Sequence, residues 1–430
     1  MENTARNAAT KYEAVRITGL GFLLPGADTV TAVWRHLSEG NSQLGPIPAE
    51  LGGTTGVFSA GRVTGFDHRD YLTDLPDNFT KRYSRDILLA MSAVENARSD
   101  AGLDTADAVA PDRMGVIASS ARGPAEWWYQ AASGHDLGTT WPTVTPDRAI
   151  FASLPGTPAT LSAIRIGAQG LVTTVSNACV GGHQALALAA DQIERGAADV
   201  MYVIGYDLPL VPSVLQVYSA PGSTVLSQER DARRAVKPYH KDRDGFALGE
   251  GAVVVVLESE THARARGTAG YAALRAAHSI NEAAHATRMD LSGRSTARMM
   301  AELLDTAGRR PGAVDYICGH GTATRYNDVC ESRALSHLYG ERRSLWPPIG
   351  SNKPIFGHLL GGAGLLNCAA VALMLWRQCL APTINSEEPD PECAHDHVAE
   401  GARPARLRSA VSLAFAIGSQ SSSVLLEAAE

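Results

Sequence analysis

The sequence predicts an α/β fold built from two similar halves, because one local arrangement of residues occurs twice. The β-branched run Leu171–Val175 leads to Cys179, then to two glycines and a stretch with helical spacing of apolar residues. In the second half, Pro348–Ser351 leads to His358, then to a glycine cluster and an apolar helix ending at Trp376. Two such units, with their loops facing one another, form a duplicated α/β fold.

Composition places the chain among globular proteins with a large core. Its 430 residues are 45% hydrophobic and 19% charged, enough for two or three domain-sized units or two halves sharing one core. A net charge of −7 argues against general nucleic-acid binding, although a local basic patch could still dock an acidic partner. The apolar runs Ala252–Leu257 and Ala369–Trp376 are too short to span a bilayer, and Met1–Lys11 lacks the apolar core of a signal peptide.

Cysteine usage indicates a reducing compartment. The chain has six cysteines and no CxxC pair, and a chain of this size does not need disulfides for stability. We therefore expect free thiols and a cytoplasmic location, which permits a catalytic cysteine.

Periodicity and turn residues predict the elements of the first half in order. They are a strand over 15–22, a helix over 30–37, surface loops over 45–77, a helix over 84–101, a strand over 114–119, an irregular segment over 134–158, a buried strand over 171–175 and another strand over 200–205. Lys81, Arg82 and Arg85 cluster near the start of the 84–101 helix. This cluster is either a solvated helix end or part of a docking patch for an acidic carrier.

The second half begins after a glycine-dense block and a valine strand. Val253–Val256 is predicted to be buried on both faces. From about Tyr271 the pattern restarts with a helix over 296–307, a strand over 314–318, a helix over 328–338 and a hairpin of 410–415 with 422–426.

Cys179 is the first candidate reactive group. A thiol in the first turn of a helix faces unpaired backbone N–H groups and the positive end of the helix dipole, and both favour the thiolate. Taken alone, the motif fits an inert buried cysteine equally well.

Two histidines, His320 and His358, also follow predicted strand ends, where ligands and catalytic groups collect in α/β sheets. One cysteine with two histidines could form a metal site, a hydrolytic Cys–His pair or an acyl-transfer site. The local spacing of zinc ligands is absent from the sequence, which disfavours the metal site. Each histidine alone could also be a hydrogen-bonded structural residue.

Five ordered motifs carry a resemblance to a known family. They are Ser176-Asn177-Ala178-Cys179, the block Lys241–Gly251, His320-Gly321-Thr322-Ala323-Thr324, Gly350-Ser351-Asn352-Lys353 and Gly357-His358. With them the chain closely resembles the β-ketoacyl-acyl carrier protein synthases, condensing enzymes of the thiolase superfamily, from Val15 to Glu427. The resemblance implies a five-layer αβαβα thiolase fold. Residues 12–270 would form the half with the nucleophile, and residues 271–430 the half with both histidines.

The resemblance also implies a reaction, the decarboxylative Claisen condensation. Cys179 would take an acyl chain as a thioester from a phosphopantetheine carrier, and His320 and His358 would stabilise charge on a malonyl-type extender as CO₂ leaves. Lys353 would support the histidines electrostatically, and Thr322 and Thr324 would hydrogen-bond the pantetheine arm. The implied oxyanion and gating loop comprises Phe415, Ala416, Ile417 and Gly418. No metal and no cofactor besides the carrier's arm are expected.

Two positions depart from the family pattern. Asn367 stands where the family usually has a glutamate, so an ion pair with Lys353 would be lost or rebuilt. Ala416-Ile417-Gly418-Ser419 replaces Gly-Phe-Gly-Gly, which puts Ile417 at the position of a gating phenylalanine. These departures favour a specialised polyketide synthase over the fatty-acid biosynthesis enzyme.

The resemblance further implies partners. We expect a discrete synthase that acts on a separate acyl carrier protein, as a homodimer or as a heterodimer with a chain-length-factor-like subunit, and that binds neither nucleic acid nor membrane. Cys179 indicates the catalytic subunit. The alternatives are a non-elongating acyltransferase and a non-catalytic chain-length-factor-like partner, which would usually lack the cysteine.

Overall fold

Two five-stranded sheets, related by the same strand order, form the framework of the protein. The computed structural model describes residues 13–52, 56–105, 108–133 and 146–429. Its strands are β1 (Val15–Leu23), β2 (Leu44–Pro46), β3 (Ser59–Gly61), β4 (Met114–Ser119), β5 (Val172–Val175), β6 (Val200–Asp207), β7 (Leu248–Gly249), β8 (Gly251–Ser259), β9 (Ala272–Asn281), β10 (Tyr316–Cys318), β11 (Ile349–Gly350), β12 (Cys379–Leu380), β13 (Arg403–Pro404), β14 (Ser409–Ala416) and β15 (Gln420–Ala428).

The topology of one half repeats that of the other. The first half has the order β1-β8-β6-β4-β5 and the second β9-β15-β14-β10-β11. In each, the first two pairings are antiparallel and the last two parallel. Three residue pairs between β1 and β9, Val15–Ile17 with Ala272–Leu274, join the halves into one sheet of ten strands. The prediction of two similar α/β halves is confirmed, whereas the boundary at residues 270 and 271 stays a prediction.

Helices occupy three layers around the sheets. The nucleophile helix (Gly181–Glu194) and the histidine helix (Ala363–Arg377) pack in the central core, while Arg85–Asp100 and Arg294–Thr306 cover the outer faces. The other α-helices are Val30–Glu39, Ala49–Gly52, Asp77–Thr80, Ala125–Ala132, Pro146–Ala152, Thr157–Ile166, Pro212–Tyr218, Glu260–Ala265, Asn327–Tyr339 and Lys353–Phe356. This arrangement is the expected five-layer αβαβα fold.

The valine run forms strand β8, whose two faces are both covered. Val253 and Val255 belong to the central core, whereas Val254 and Val256 belong to the outer core under Arg85–Asp100. All four are fully buried, as predicted for a strand covered on both faces.

The two central helices cross at a pair of glycines. A Cβ at Gly182 would lie 2.9 Å from the backbone nitrogen of Leu365, and a Cβ at Gly364 would lie 2.9 Å from Cδ2 of His183. The starts of the two helices therefore touch through backbone, which brings the loops before them together.

One helical segment of the described chain, Leu360–Arg377, is long and apolar enough to cross a membrane. However, 89% of that segment is buried inside the protein, as is typical of a core helix.

Several predicted elements differ from the structure. The 171–175 strand is shorter and only half-buried, because β5 lies at the edge of the sheet, where Leu171 is 39% exposed. The segment predicted as loops over 45–77 includes β3, which pairs with β2 and β7. Helices Pro146–Ala152 and Thr157–Ile166 begin inside the segment predicted as irregular, whereas 134–145 lies outside the described residues. Strand β9 was not predicted.

Candidate active site

Cys179 lies in a tight turn that precedes the nucleophile helix. The turn, Ala178–Val180, is a single 3₁₀ turn, and the α-helix begins at Gly181. The expectation that Cys179 lies in the first α-helical turn is therefore corrected, because Cys179 lies two residues before the start of the α-helix. Ala178 has φ of 45°, a left-handed conformation that is costly for a residue with a Cβ. This strain presents the thiol at the carboxyl end of β5.

His358 makes the direct contact with the thiol. Its Nε2 lies 3.1 Å from Cys179 Sγ, across 179 positions of sequence. The backbone of His358 donates to the Ala247 carbonyl at 2.9 Å and accepts from the Gly249 N–H at 3.0 Å. The Phe246 ring meets the imidazole edge-on at 4.9 Å between centroids. The glycine-dense block before β8 thus positions this histidine.

His320 completes the group. Its ring lies 5.3 Å from that of His358 and 5.7 Å from that of Phe415, both nearly perpendicular. One ligand-capable atom from each of Cys179, His320 and His358 lies within 4.8 Å of the other two. The structure thus brings together the three reactive groups predicted from the sequence. By distance alone, these atoms could also hold a metal ion.

Lys353 is buried behind the histidines. Its ammonium donates to the backbone carbonyl of His320. Glu331, also buried, accepts from the Tyr239 hydroxyl at 2.6 Å and from the Gly321 N–H at 3.0 Å. Asp328 accepts from the Tyr239 N–H at 2.7 Å. These acids hold the loop that carries His320.

Burial sets the charge of the reacting groups. It raises the pKa of the Cys179 thiol to about 12, against the positive charges of Lys353 and Arg122. Burial is thus a larger effect on the Cys179 pKa than the lowering that the helix start predicts. Burial, followed by the Lys353 charge, places the pKa of His320 and of His358 well below the usual range. Both imidazoles are neutral at physiological pH.

Asn367 rebuilds the contacts at the first departure from the family pattern. Its Oδ1 accepts from Asn352 Nδ2 at 3.0 Å, and its Nδ2 donates to the Leu413 carbonyl at 3.1 Å. The ion pair with Lys353 is thus lost at this position. The negative charges that act on Lys353 include those of Glu331 and Asp328 instead.

The two threonines proposed for the pantetheine arm lie side by side. Thr322 Oγ1 and Thr324 Oγ1 are 2.8 Å apart, with Ala323 between them at φ of 58°. The Ala323 carbonyl accepts from the Gly245 N–H at 2.9 Å. Their role in binding the arm stays a prediction.

The gating loop is the turn between β14 and β15. Ile417 is 67% exposed, so its side chain points away from the buried centre. Ser419 adopts a φ of 58°, and its Oγ accepts from the His285 N–H at 3.0 Å and donates to the His285 carbonyl at 2.6 Å. A serine thus keeps the left-handed conformation with hydrogen bonds to a second loop. The roles of Phe415, Ala416, Ile417 and Gly418 in an oxyanion hole or gate stay predictions.

Two positioning groups were missed from the sequence. Asp207, fully buried at the end of β6, accepts from the Gly361 N–H at 2.7 Å and the Arg122 N–H at 2.9 Å. The sequence does contain a signal for Asp207, namely an acidic residue directly after the apolar run that forms β6. Asn177 and Gln420 pair through their side-chain amides, with Gln420 Nε2 2.5 Å from Asn177 Oδ1. Nothing local in the sequence indicates this pair, which joins the nucleophile turn to β15.

The basic cluster before Arg85–Asp100 is smaller than the sequence indicates. The Arg85 guanidinium donates to Glu250 at 2.7 Å and to Glu126 at 3.2 Å. These contacts occupy Arg85, and the role of Lys81 and Arg82, as a solvated helix end or as a docking patch for an acidic carrier, stays a prediction.

Comparisons with known proteins agree with this geometry. Residues 12–263 match the family described as "Beta-ketoacyl synthase, N-terminal domain" and residues 271–387 that described as "Beta-ketoacyl synthase, C-terminal domain". The chain is 33% identical, over 96% of each chain, to the tetracenomycin polyketide synthase ketoacyl synthase alpha subunit of Streptomyces glaucescens.

Two solved structures are similar over nearly the whole chain. One is a type II PKS acyl-carrier protein in complex with its ketosynthase bound to the hexaketide, with a TM-score of 0.85 and 27% identity over 97% of this chain and 100% of that one. The other is the ishigamide ketosynthase/chain length factor, with a TM-score of 0.85 and 27% identity over 97% of this chain and 99% of that one.

Proposed function

The chain belongs to the β-ketoacyl synthase family, and we propose that Cys179, His320, His358 and Lys353 carry out its condensation in polyketide biosynthesis. The enzyme is an acyltransferase that joins an acyl group to a malonyl-type extender with loss of CO₂. The observation that carries the residue assignment is the 3.1 Å contact between Cys179 Sγ and His358 Nε2. Lys353 supports the site by stabilising the loop of His320.

The first half-reaction is a thiol–thioester exchange. Cys179 attacks the acyl carbon of the carrier thioester, a new C–S bond forms, and the carrier leaves as a thiol. His358 Nε2 is placed to accept the proton of Cys179 as the sulfur attacks. Because the carrier thiol takes up a proton, the exchange is proton-neutral overall and needs no standing thiolate.

The second half-reaction breaks a C–C bond and makes another. The extender carboxylate leaves as CO₂, and its electron pair passes to the α-carbon and the thioester oxygen. Neutral His320 and His358 stabilise that oxyanion through their N–H groups, which for His358 requires the tautomer that carries its proton on Nε2. The α-carbon then attacks the Cys179 thioester, and the sulfur leaves and takes up a proton from solvent, so that each condensation consumes one proton.

The acyl donor is an acyl carrier protein. One similar structure holds such a carrier with its ketosynthase, and the phosphopantetheine arm of the carrier serves here as the only cofactor-like group. Thr322 and Thr324 bind this arm. A carrier-dependent enzyme with six free cysteines fits the cytoplasm.

The partner subunit pairs with the open edge at β5. Among the described residues, this strand has a neighbour only on its β4 side. Ile164, 70% exposed, and Leu171, 39% exposed, present apolar side chains in the chain leading to it. An unpaired edge with exposed apolar neighbours is typical of a strand-to-strand interface. The partner is a second copy of the chain or a chain-length-factor-like subunit.

A two-carrier assay tests the proposal. Acyl carrier is incubated with the wild type and with Cys179→Ala, malonyl carrier is added, and mass spectrometry follows the protein adduct while CO₂ release is recorded. We expect a stoichiometric adduct, CO₂ release and a chain longer by one extender in the wild type, and no adduct in the variant. A full adduct on Cys179→Ala would exclude Cys179 as the nucleophile.

The same assay separates the alternative functions. Transfer of the acyl group without CO₂ release, with the malonyl carrier intact, would indicate a non-elongating acyltransferase. A wild type that is never acylated would indicate a non-catalytic partner subunit.

A further inference from the structure

Cys179, Ala121 and Tyr218 are partly buried and pack against one apolar cluster. This cluster includes Leu215 and Phe246 and is separate from the cluster that contains Phe415. An acyl group on the Cys179 sulfur would start at the margin of this cluster.

A cation borders this cluster. The Arg122 Nη2 donates to the Tyr218 hydroxyl at 3.0 Å, and the guanidinium carbon lies 5.2 Å from the centre of the Tyr218 ring. Tyr218 meets Phe246 edge-on at 6.3 Å, and Phe246 meets His358 edge-on at 4.9 Å. A row of rings therefore connects the guanidinium to the histidine that contacts the thiol.

The backbone holds Arg122 in this place. Asp207 accepts from the N–H groups of Ala121 and Arg122, each at 2.9 Å. A Cβ at Gly181 would lie 2.6 Å from Ser119 Oγ, so the end of β4 abuts the start of the nucleophile helix. In agreement with this proximity, the positive charge of Arg122 lowers the pKa of the Cys179 thiol against the larger effect of burial.

Among the described residues, the Tyr218 hydroxyl is the one acceptor of the exposed Arg122 guanidinium, so most of its donors face solvent. The side chain has five N–H groups, and Tyr218 accepts from one nitrogen. Among the described residues, no carboxylate forms an ion pair with Arg122, and Asp207 accepts from backbone N–H groups and from Ser120. A saturated alkyl chain beside Arg122 would displace water from these donors without replacing its hydrogen bonds. An oxygen acceptor on the chain would replace them.

We propose, on the basis of the function proposed above, that Arg122 and Tyr218 determine the acyl substrate class. Cys179 accepts acyl groups that carry an oxygen acceptor a few bonds beyond the thioester, namely 3-oxoacyl or carboxyacyl groups, in preference to saturated alkyl groups. Tyr218 orients the guanidinium, and Arg122 contacts the acceptor oxygen.

Acylation rates with three four-carbon donors test this selectivity. Butyryl, 3-oxobutyryl and succinyl groups are loaded on the same carrier, and the rate of adduct formation on Cys179 is measured by mass spectrometry. We expect the wild type to favour an oxygenated donor over butyryl by about tenfold. Arg122→Leu should bring that ratio close to one, with a slower reaction of the oxygenated donor and a faster one of butyryl. A preference for succinyl alone would assign a carboxylate acceptor, and one for 3-oxobutyryl alone a neutral carbonyl.

Two further variants serve as controls. Tyr218→Phe keeps the ring but removes the hydroxyl, and should reduce the ratio less than Arg122→Leu. Arg298→Leu, on an outer helix where Arg298 pairs with Glu302, removes the same charge far from the site and should leave the ratio unchanged. Equal rates in the wild type, or the same ratio in Arg122→Leu, would overturn this inference while leaving the condensation intact. No acylation by any donor would instead overturn the proposed function, and this inference with it.

Discussion

At the scale of single residues, the site depends on neutral imidazoles beside a buried cation. Lys353 lies 1% exposed behind His320 and His358, and its charge adds to burial in disfavouring a second cation. A neutral imidazole can donate an N–H to a developing oxyanion, and it keeps this capacity until the pH falls to its depressed pKa.

This arrangement predicts the acid limb of decarboxylation. The rate of CO₂ release from malonyl carrier should show no loss centred near pH ~6.5, the usual histidine pKa, because both imidazoles stay neutral there. Lys353→Met should raise the histidine pKa values and move the acid limb to higher pH. The measurement is CO₂ release against pH for both proteins. A wild-type limb at the usual histidine pKa would contradict the assignment.

Asn367 gives a second prediction at this scale. Its amide donates to the carbonyls of Leu413 and Gly319, which a carboxylate could only repel. Asn367→Asp should therefore lower the free energy of unfolding by about 1–3 kcal/mol at neutral pH. In urea titrations the deficit should shrink as acid protonates the new carboxyl group. A deficit that does not change with pH would point to packing rather than to charge.

At the scale of elements, the crossing of the two central helices sets the distance between thiol and imidazole. A Cβ at Gly364 would meet His183 at 2.9 Å. Gly364→Ala should lower the free energy of unfolding by about 1–3 kcal/mol and reduce condensation further than the loss of folded protein explains. Gly312→Ala is the matched control, because a Cβ there meets no atom within 4 Å. Urea unfolding and single-turnover condensation measure the two effects.

The elements also show what the sequence can and cannot indicate. Strand β8 and the histidine helix were predictable, since their apolar runs follow from local burial. The edge position of β5 was not, because β-branched residues mark a strand without saying how many neighbours it has. The motifs predicted that Cys179, His320 and His358 lie at strand ends, and the structure brings these three side chains together, while their roles stay predictions. The raised thiol pKa depends on side chains from distant parts of the chain, which no local pattern contains.

At the scale of the whole molecule, the open edge at β5 predicts the oligomeric state. Leu171→Lys should convert the proposed dimer to a monomer, because it places a charge beside the strand that we propose pairs with the partner. Leu345 is also an exposed leucine, with 63% of its surface accessible, so Leu345→Lys is the control and should stay dimeric. Sedimentation equilibrium gives the masses, and circular dichroism checks folding. A dimeric Leu171→Lys protein would place the interface elsewhere.

The buried histidines give the free energy of unfolding a pH-dependent contribution of definite sign. His183, whose pKa burial lowers to about 4, is buried neutral with His320 and His358. Unfolding restores their usual pKa of about 6.5, so their contribution to stability should fall as the pH decreases below ~6.5. Burial also raises the pKa of Asp207 to about 6 and that of Glu331 to about 7, and these carboxyl groups act in the opposite direction over the same range. Urea titrations of the wild type and of His183→Gln isolate the histidine contribution: the difference in stability between the two proteins should shrink as the pH falls, and a difference that does not change would contradict a neutral, buried His183.

The glycine crossing has a consequence for how this molecule can change. Gly182 belongs to the half that supplies the leaving sulfur, and Gly364 to the half that supplies the imidazole, so each half serves as the template against which the other is aligned. The sequences of loops that select the acyl group can change without disturbing this glycine contact. The two glycines themselves have to change together. A chimaera that joins halves from two relatives will therefore work only if both parents share this contact.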